Sequence, residues 1–248
     1  MIGFNGCSQV AMSNLDYLDN WQSKSWPALV ANQLNSDYIN VAQTLASNQR
    51  ILRTSIDLVV NCKVSSLIVG WTSFDRYEMP LYNGDIARLG PERTHLEYGI
   101  NNNNGPNLHK FYYSNCHNEW LSIVWLLEKI ILLESLCKAH QTKLYMFNAV
   151  QDNCLKDPTK FEHKNFWVSN NMKYSQWDQD LEYVSNLQQK ILTFNWLMDP
   201  SYTFTDLCFD RNLPTDAGIN IKAGHPEIEA QSVIADLFVN KIKEYECH

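Results

Sequence analysis

Apolar positions along the chain keep two rhythms, and the rhythms take turns. Met1 to Phe4 is a short apolar run of strand length, and it ends at the turn Gly6-Cys7-Ser8. Ser25-Trp26-Pro27 then opens a helix that runs to Leu34, with Ser25 as N-cap and Pro27 in the first turn. Tyr38 to Val41 is a second strand. Ser47-Asn48 caps a helix whose apolar residues Ile51, Leu52, Ile56, Val59 and Val60 recur near every 3.6 positions. Ser66 to Gly70 is a third strand, continuously apolar as buried parallel strands are. A long apolar helix begins near Asn118 and reaches about Ala139, Lys143 to Ala149 forms a fourth strand, and a last helix spans Pro226 to Tyr245. Ile228, Val233, Ile234, Leu237, Phe238 and Ile242 would form the inner side of that last helix.

Strands separated by helices predict an α/β fold: a three-layer α/β/α sandwich on a parallel sheet of about five strands in flavodoxin-like order. One domain, residues 1–248, accounts for the chain, since no linker composition interrupts it. Insertions at about 74–117 and 151–177 depart from the alternation. The first contains NNNNGPN at 101–107 and reads as a long polar loop. The second carries Phe161, Phe166, Trp167, Tyr174 and Trp177, which would pack the insertion onto the domain or cover a substrate such as a sugar ring.

In such a sheet, ligands sit at the carboxyl ends of the strands. The loops that should meet there read GCS, AQTLASN, WTSFDRYE and KAGHP, so a serine and a histidine reach one rim from opposite ends of the chain.

Composition narrows the partners. With 45% hydrophobic and 19% charged residues the chain is a folded globular protein. A net charge of −7 without a Lys/Arg cluster argues against nucleic acid. Charges at Glu128, Lys129 and Glu134 interrupt the apolar segment Trp120 to Leu136, so a buried helix is expected there and no membrane span. Seven cysteines without paired spacing, and no signal sequence, indicate reduced thiols in a cytoplasm. Cys7 is expected to pack rather than react. His95, His109, His117 and His163 lack metal-ligand spacing, so neither a metal nor a cofactor is expected.

The blocks, in this order, resemble those of the SGNH/GDSL hydrolases. Gly6-Cys7-Ser8 is similar to the family's first block. Asn40 to Asn48 is similar to its second, Asn-x-Ala-x-x-Gly, with Ala46 taken as the replacement of the glycine. Gly70-Trp71-Thr72-Ser73 stands for Gly-x-Asn-Asp without its Asn, and Lys222-Ala223-Gly224-His225 stands for Asp-x-x-His without its Asp. The resemblance implies serine esterase or acyl-transfer chemistry on O-acyl esters, including those of carbohydrates. Ser8 would be the nucleophile and His225 its base.

Oxyanion donors would come from the backbone of Ser8 and Ala46, with Thr72 or Asn48 in place of the missing amide. Asn48 and Ser47 equally suit a helix cap. Arg76 would bind substrate or pair with Glu78. With Lys222 and Ala223 where the acid is expected, His225 is expected to lack a carboxylate partner and hydrolysis of short activated esters to be slow; a carbonyl, Asp216, Asp210 and Asp206 are the candidates to substitute. The competing reading is a binding or structural protein that keeps the fold without the reaction. Oligomeric state, acyl group and alcohol are not legible in the residues.

Overall fold

The computed structural model describes residues 1–12, 15–80, 86–89, 105–150, 177–219 and 224–247. The elements are β1 (Ile2–Asn5), α1 (Ser8–Ala11), α2 (Trp21–Lys24), α3 (Trp26–Gln33), β2 (Tyr38–Asn40), α4 (Asn48–Val60), β3 (Ser66–Trp71), β4 (Tyr77–Pro80) and β5 (Ile86–Leu89). They continue with α5 (Gly105–Asn115), α6 (Glu119–Ala139), β6 (Lys143–Asn148), α7 (Trp177–Ile191), α8 (Phe204–Asp210) and α9 (Ile228–Glu246).

The main sheet has the order β2-β1-β3-β6 with every neighbouring pair parallel. This is the predicted order. Among the described residues it has four strands, and a fifth position beside β6 is reduced to single parallel bridges, Met146 with Trp196 and Asn148 with Thr203. Pro200 lies between those bridges, and its carbonyl accepts from Asn148 Nδ2.

Period-two alternation divides the strand side chains between two cores. Phe4, Ile68, Tyr145 and Phe147 face the layer of α3, α8 and α9, whereas Leu67, Val69, Trp71, Leu144 and Met146 face α4, α6 and α7. Trp26 is the hub of the first core. It is fully buried and meets the rings of Phe4, Phe147, Phe204 and Phe238 at centroid distances of 5.2–6.0 Å. Its indole N–H donates to Gln9 O (3.0 Å). Trp26→Ala should therefore destabilise the fold by about 3–5 kcal/mol, read as a lowered denaturant midpoint.

Local differences from the sequence reading have local causes. Ser25 occupies the N-cap position of α3, but its hydroxyl donates to Gln22 O; the Trp26 N–H is taken instead by Gln231 Oε1 of α9 at 2.9 Å. Val233 lies on the exposed side of α9. The stretch expected as a polar loop contains an antiparallel pair, β4 with β5, and the helix α5. Phe161, Phe166, Trp167 and Tyr174 lie outside the described residues, and Trp177 opens α7. No helix among the described residues is long and apolar enough to cross a membrane.

Candidate functional site

The turn after β1 is set by close packing. A Cβ on Gly6 would fall 2.5 Å from Val10 Cγ2 and 2.9 Å from Gly70 O, so only glycine allows β1 to pass this near to β3 while α1 starts. Asn5 anchors the end of β1. Its Oδ1 accepts the Gly6 N–H (2.8 Å), and its Nδ2 lies 2.7–2.8 Å from Ile51 O, Thr54 Oγ1 and Ser55 Oγ on α4. Asn40 Nδ2 donates to Val10 O, which ties the second block to α1 (3.0 Å). Asn40 is the residue that opens the second block in the sequence, whereas Asn5 did not stand out, because a buried amide is a structural role with no periodic signal.

Cys7 is buried in the first core and Ser8 begins α1 at 8% exposure. Among the described residues Ser8 Oγ has no hydrogen-bond partner, and the Ser8 N–H, first in its helix, has none either.

At the other end of the chain, residues 214–216 and 225–227 form a short antiparallel clasp. Thr215 bridges Pro226, Asp216 N–H donates to His225 O (2.9 Å), and Glu227 N–H donates to Pro214 O (2.9 Å). The clasp brings Asp216 over His225. Its Oδ1 accepts the His225 backbone N–H at 2.7 Å, and its Oδ2 lies 2.9 Å from His225 Nδ1. The expectation that His225 lacks a carboxylate is thereby corrected. The acid arrives from nine residues upstream, because Gly224 adopts φ +84° and carries no side chain; a Cβ there would sit 2.3 Å from Asp216 Oδ1. Asp206 caps α8 with Thr203, and Asp210 takes the Tyr202 hydroxyl. Lys222 and Ala223 lie outside the described residues.

The two ends meet through neighbouring residues. Gln9 Nε2, one residue past Ser8, donates to Gly224 O (2.8 Å), one residue before His225. Tyr17 OH reaches Glu227 Oε2 at 3.0 Å. Among the described residues no hydrogen bond joins Ser8 to His225, whose side chain bonds to Asp216.

Three expected donors are otherwise engaged. Ala46 is fully buried and its N–H donates to Gln43 O, so it is not an open oxyanion donor. Leu45 is the residue with glycine-like backbone, φ +60°, and counting Asn-x-Ala-x-x-Gly from Asn40 lands on it. Among the described residues its N–H has no partner, and Gln43 N–H on Gly6 O (3.1 Å) holds this turn beside the serine. Asn48 spends its amide on the third block: Nδ2 donates to Thr72 O (3.0 Å) and Ser73 O (3.3 Å), and Oδ1 accepts Thr72 N–H (3.0 Å). Thr72 is fully buried and its hydroxyl accepts from Arg76 Nη1 (2.8 Å). Ser47 caps α4 by accepting Arg50 N–H.

Arg76 does not pair with Glu78. Glu78 is buried between Arg53 (3.1 Å) and Arg88 (3.8 Å). His117 Nε2 lies 3.0 Å from Asp75 Oδ1, and among the described residues no group of three or more His, Cys, Asp or Glu could hold a metal ion. Burial pushes the Cys137 and Cys208 thiols up to about 12.

A parallel sheet in this order, flanked by helices on both faces, is the fold shared with SGNH-hydrolase structures. The chain is similar to TesA at 13% identity over 98% of both chains, with a TM-score of 0.51. It is also similar to LAE5, an α/β hydrolase enzyme from the metagenome of Lake Arreo, Spain: 10% identity over 98% of this chain and 94% of that one, TM-score 0.50. A GDSL-like lipase from Bacteroides thetaiotaomicron aligns at 12% identity over 98% and 86%, with a TM-score of 0.43. At these identities the likeness to TesA and LAE5 is one of fold. No curated protein matches the sequence. The chain belongs to a family of unknown function, DUF6071, whose model matches residues 13–181.

Proposed function

We propose that the chain is a serine-dependent ester hydrolase or acyl transferase acting on small O-acyl esters, with Ser8 as nucleophile, His225 as base and Asp216 as the partner of the base. The observation that carries this reading is the Asp216 bond to His225 Nδ1, with Gln9 holding the same loop to the serine turn. A carboxylate on Nδ1 fixes the tautomer in which Nε2 has the lone pair. Nε2 then takes the Ser8 proton as Oγ adds to the acyl carbon. The resulting imidazolium returns that proton to the departing alkoxide, and water or an acceptor alcohol repeats the sequence on the acyl-enzyme. Ser8 N–H and Leu45 N–H are the uncommitted backbone donors of this corner, suited to a developing oxyanion.

A fluorophosphonate probe should label wild type on Ser8, seen by peptide mass spectrometry, and 4-nitrophenyl acetate should give an acylation burst. Absence of both on folded protein would favour the second reading, a binding protein. That reading draws on the committed Asn48 amide and on the burial of the Thr72 side chain, which carries the Arg76 contact.

Gly224→Ala should slow turnover while the thermal midpoint moves by a few degrees only. The new Cβ collides with Asp216 Oδ1, whose side chain, like that of His225, is partly exposed.

A further inference from the structure

Both charged side chains that line one cleft at the carboxyl edge of the sheet are cationic, in a chain of net charge −7. The cleft lies between the first turn of α4, the segment from Phe74 to Tyr77 that follows β3, and α6. Arg76 and Lys129 line it together with Gln49, Phe74, Tyr77 and Trp125. Among the described residues neither cation forms an ion pair with a carboxylate. The acids of the same region are already taken, Asp75 by His117 and Glu78 by Arg53 and Arg88.

Arg76 commits one nitrogen, Nη1, to Thr72 Oγ1. Lys129 Nζ donates to Trp125 O (3.1 Å) and stands 5.6 Å from the Trp125 ring centre. Burial holds its ammonium below the ordinary lysine range, with only Glu128 acting the other way. A desolvated cation without a counter-charge costs free energy, which an arriving anion would return.

The helix end adds to the same field. α4 has 13 residues and no acid in its first turn, and its cap Ser47 takes the Arg50 N–H, leaving those of Asn48 and Gln49 at the cleft. Trp125, 41% exposed, and Tyr77 offer flat apolar surface beside the charges. Asn48, which lines the cleft, also holds Thr72 and Ser73 at the end of β3, the strand next to β1.

We infer that this cleft binds an anionic group, a carboxylate or phosphate, carried by the ester substrate, with the substrate's apolar part against Trp125. The inference rests on the hydrolase reading for the word substrate. It makes the protein selective for acid-bearing esters over neutral ones of equal length.

The test compares mono-4-nitrophenyl succinate with 4-nitrophenyl butyrate. Wild type should prefer the acidic ester in kcat/KM by about tenfold or more, the range of one charge-assisted contact. Lys129→Met, which keeps the stem, and Gln49→Glu, which keeps the acceptor for Glu78 N–H and adds a negative charge, should each lower that preference roughly tenfold. Inhibition by succinate and by inorganic phosphate at equal concentration tells a carboxylate site from a phosphate site.

Calorimetric titration of Ser8→Ala protein with monomethyl succinate reads the cleft without turnover. Binding there that Gln49→Glu abolishes, with no hydrolysis of either ester by wild type, would support the cleft and overturn the hydrolase reading instead. Equal rates for the two esters, or a preference that both substitutions leave intact, would overturn the inference.

Discussion

Ser8→Ala should lower turnover of a short activated ester by about 10⁶, His225→Ala should do the same, and the double variant should be no worse than either alone. The expectation follows from the chemistry of a proton-coupled nucleophile. Without the hydroxyl there is nothing to acylate, and without the imidazole the hydroxyl keeps its proton at neutral pH. Either loss removes the whole covalent route, so the free-energy costs do not add. The measurement is a double-mutant cycle on 4-nitrophenyl acetate with each variant shown to be folded. Ser8 tolerates the change structurally, since among the described residues its hydroxyl bonds to nothing. A Ser8→Ala protein that retains the wild-type rate would move the nucleophile elsewhere and leave Gly6-Cys7-Ser8 as only a turn.

What the sequence reveals here is what periodicity and chain order control. β1, β3 and β6 are buried on both faces and read as continuous apolar runs; α4 and α6 announce themselves by Ser47 and Asn118, whose side chains take the Arg50 and Leu121 N–H groups. Chain order then places Ser8 and His225 on one rim, and the contact of Gln9 with Gly224 follows. The pairings made by loops are not legible in that way. Glu78 sits in a four-residue strand whose cross-strand partner is Arg88, so register rather than sequence proximity separates it from Arg76. Asn48 reads in the sequence as a helix cap or a catalytic donor, and its hold on Thr72 and Ser73 is visible only once β3 is placed beside α4. The second-block position is Leu45 and not Ala46: the spacing counted from Asn40 already gives it, and the left-handed φ of Leu45 agrees. Asp216 was one acid among three in the preceding segment. What selects it is a two-strand clasp and the absence of a Cβ at Gly224, neither of which leaves a periodic trace.

That same clasp fixes the size of the remaining large effect. Asp216→Asn should reduce kcat by about 10⁴, the loss associated with the equivalent exchange in a serine protease. The amide would donate from Nδ2 toward His225 Nδ1, which then carries the lone pair, and the proton moves to Nε2, the nitrogen that must accept from Ser8. The geometry survives while the tautomer is wrong. Asp216 is 39% exposed and its salt-bridge-like contact with His225 is solvated, so the exchange should cost little stability. That separates a role in the reaction from a role in folding: the denaturant midpoint stays near wild type while kcat falls. Fluorophosphonate labelling of Ser8 should slow in parallel, since it depends on the same proton transfer. If Asp216→Asn leaves both turnover and labelling at wild-type rates, the acid is only a hydrogen-bond partner that shapes the 214–227 clasp, and His225 works as a dyad with Ser8 alone.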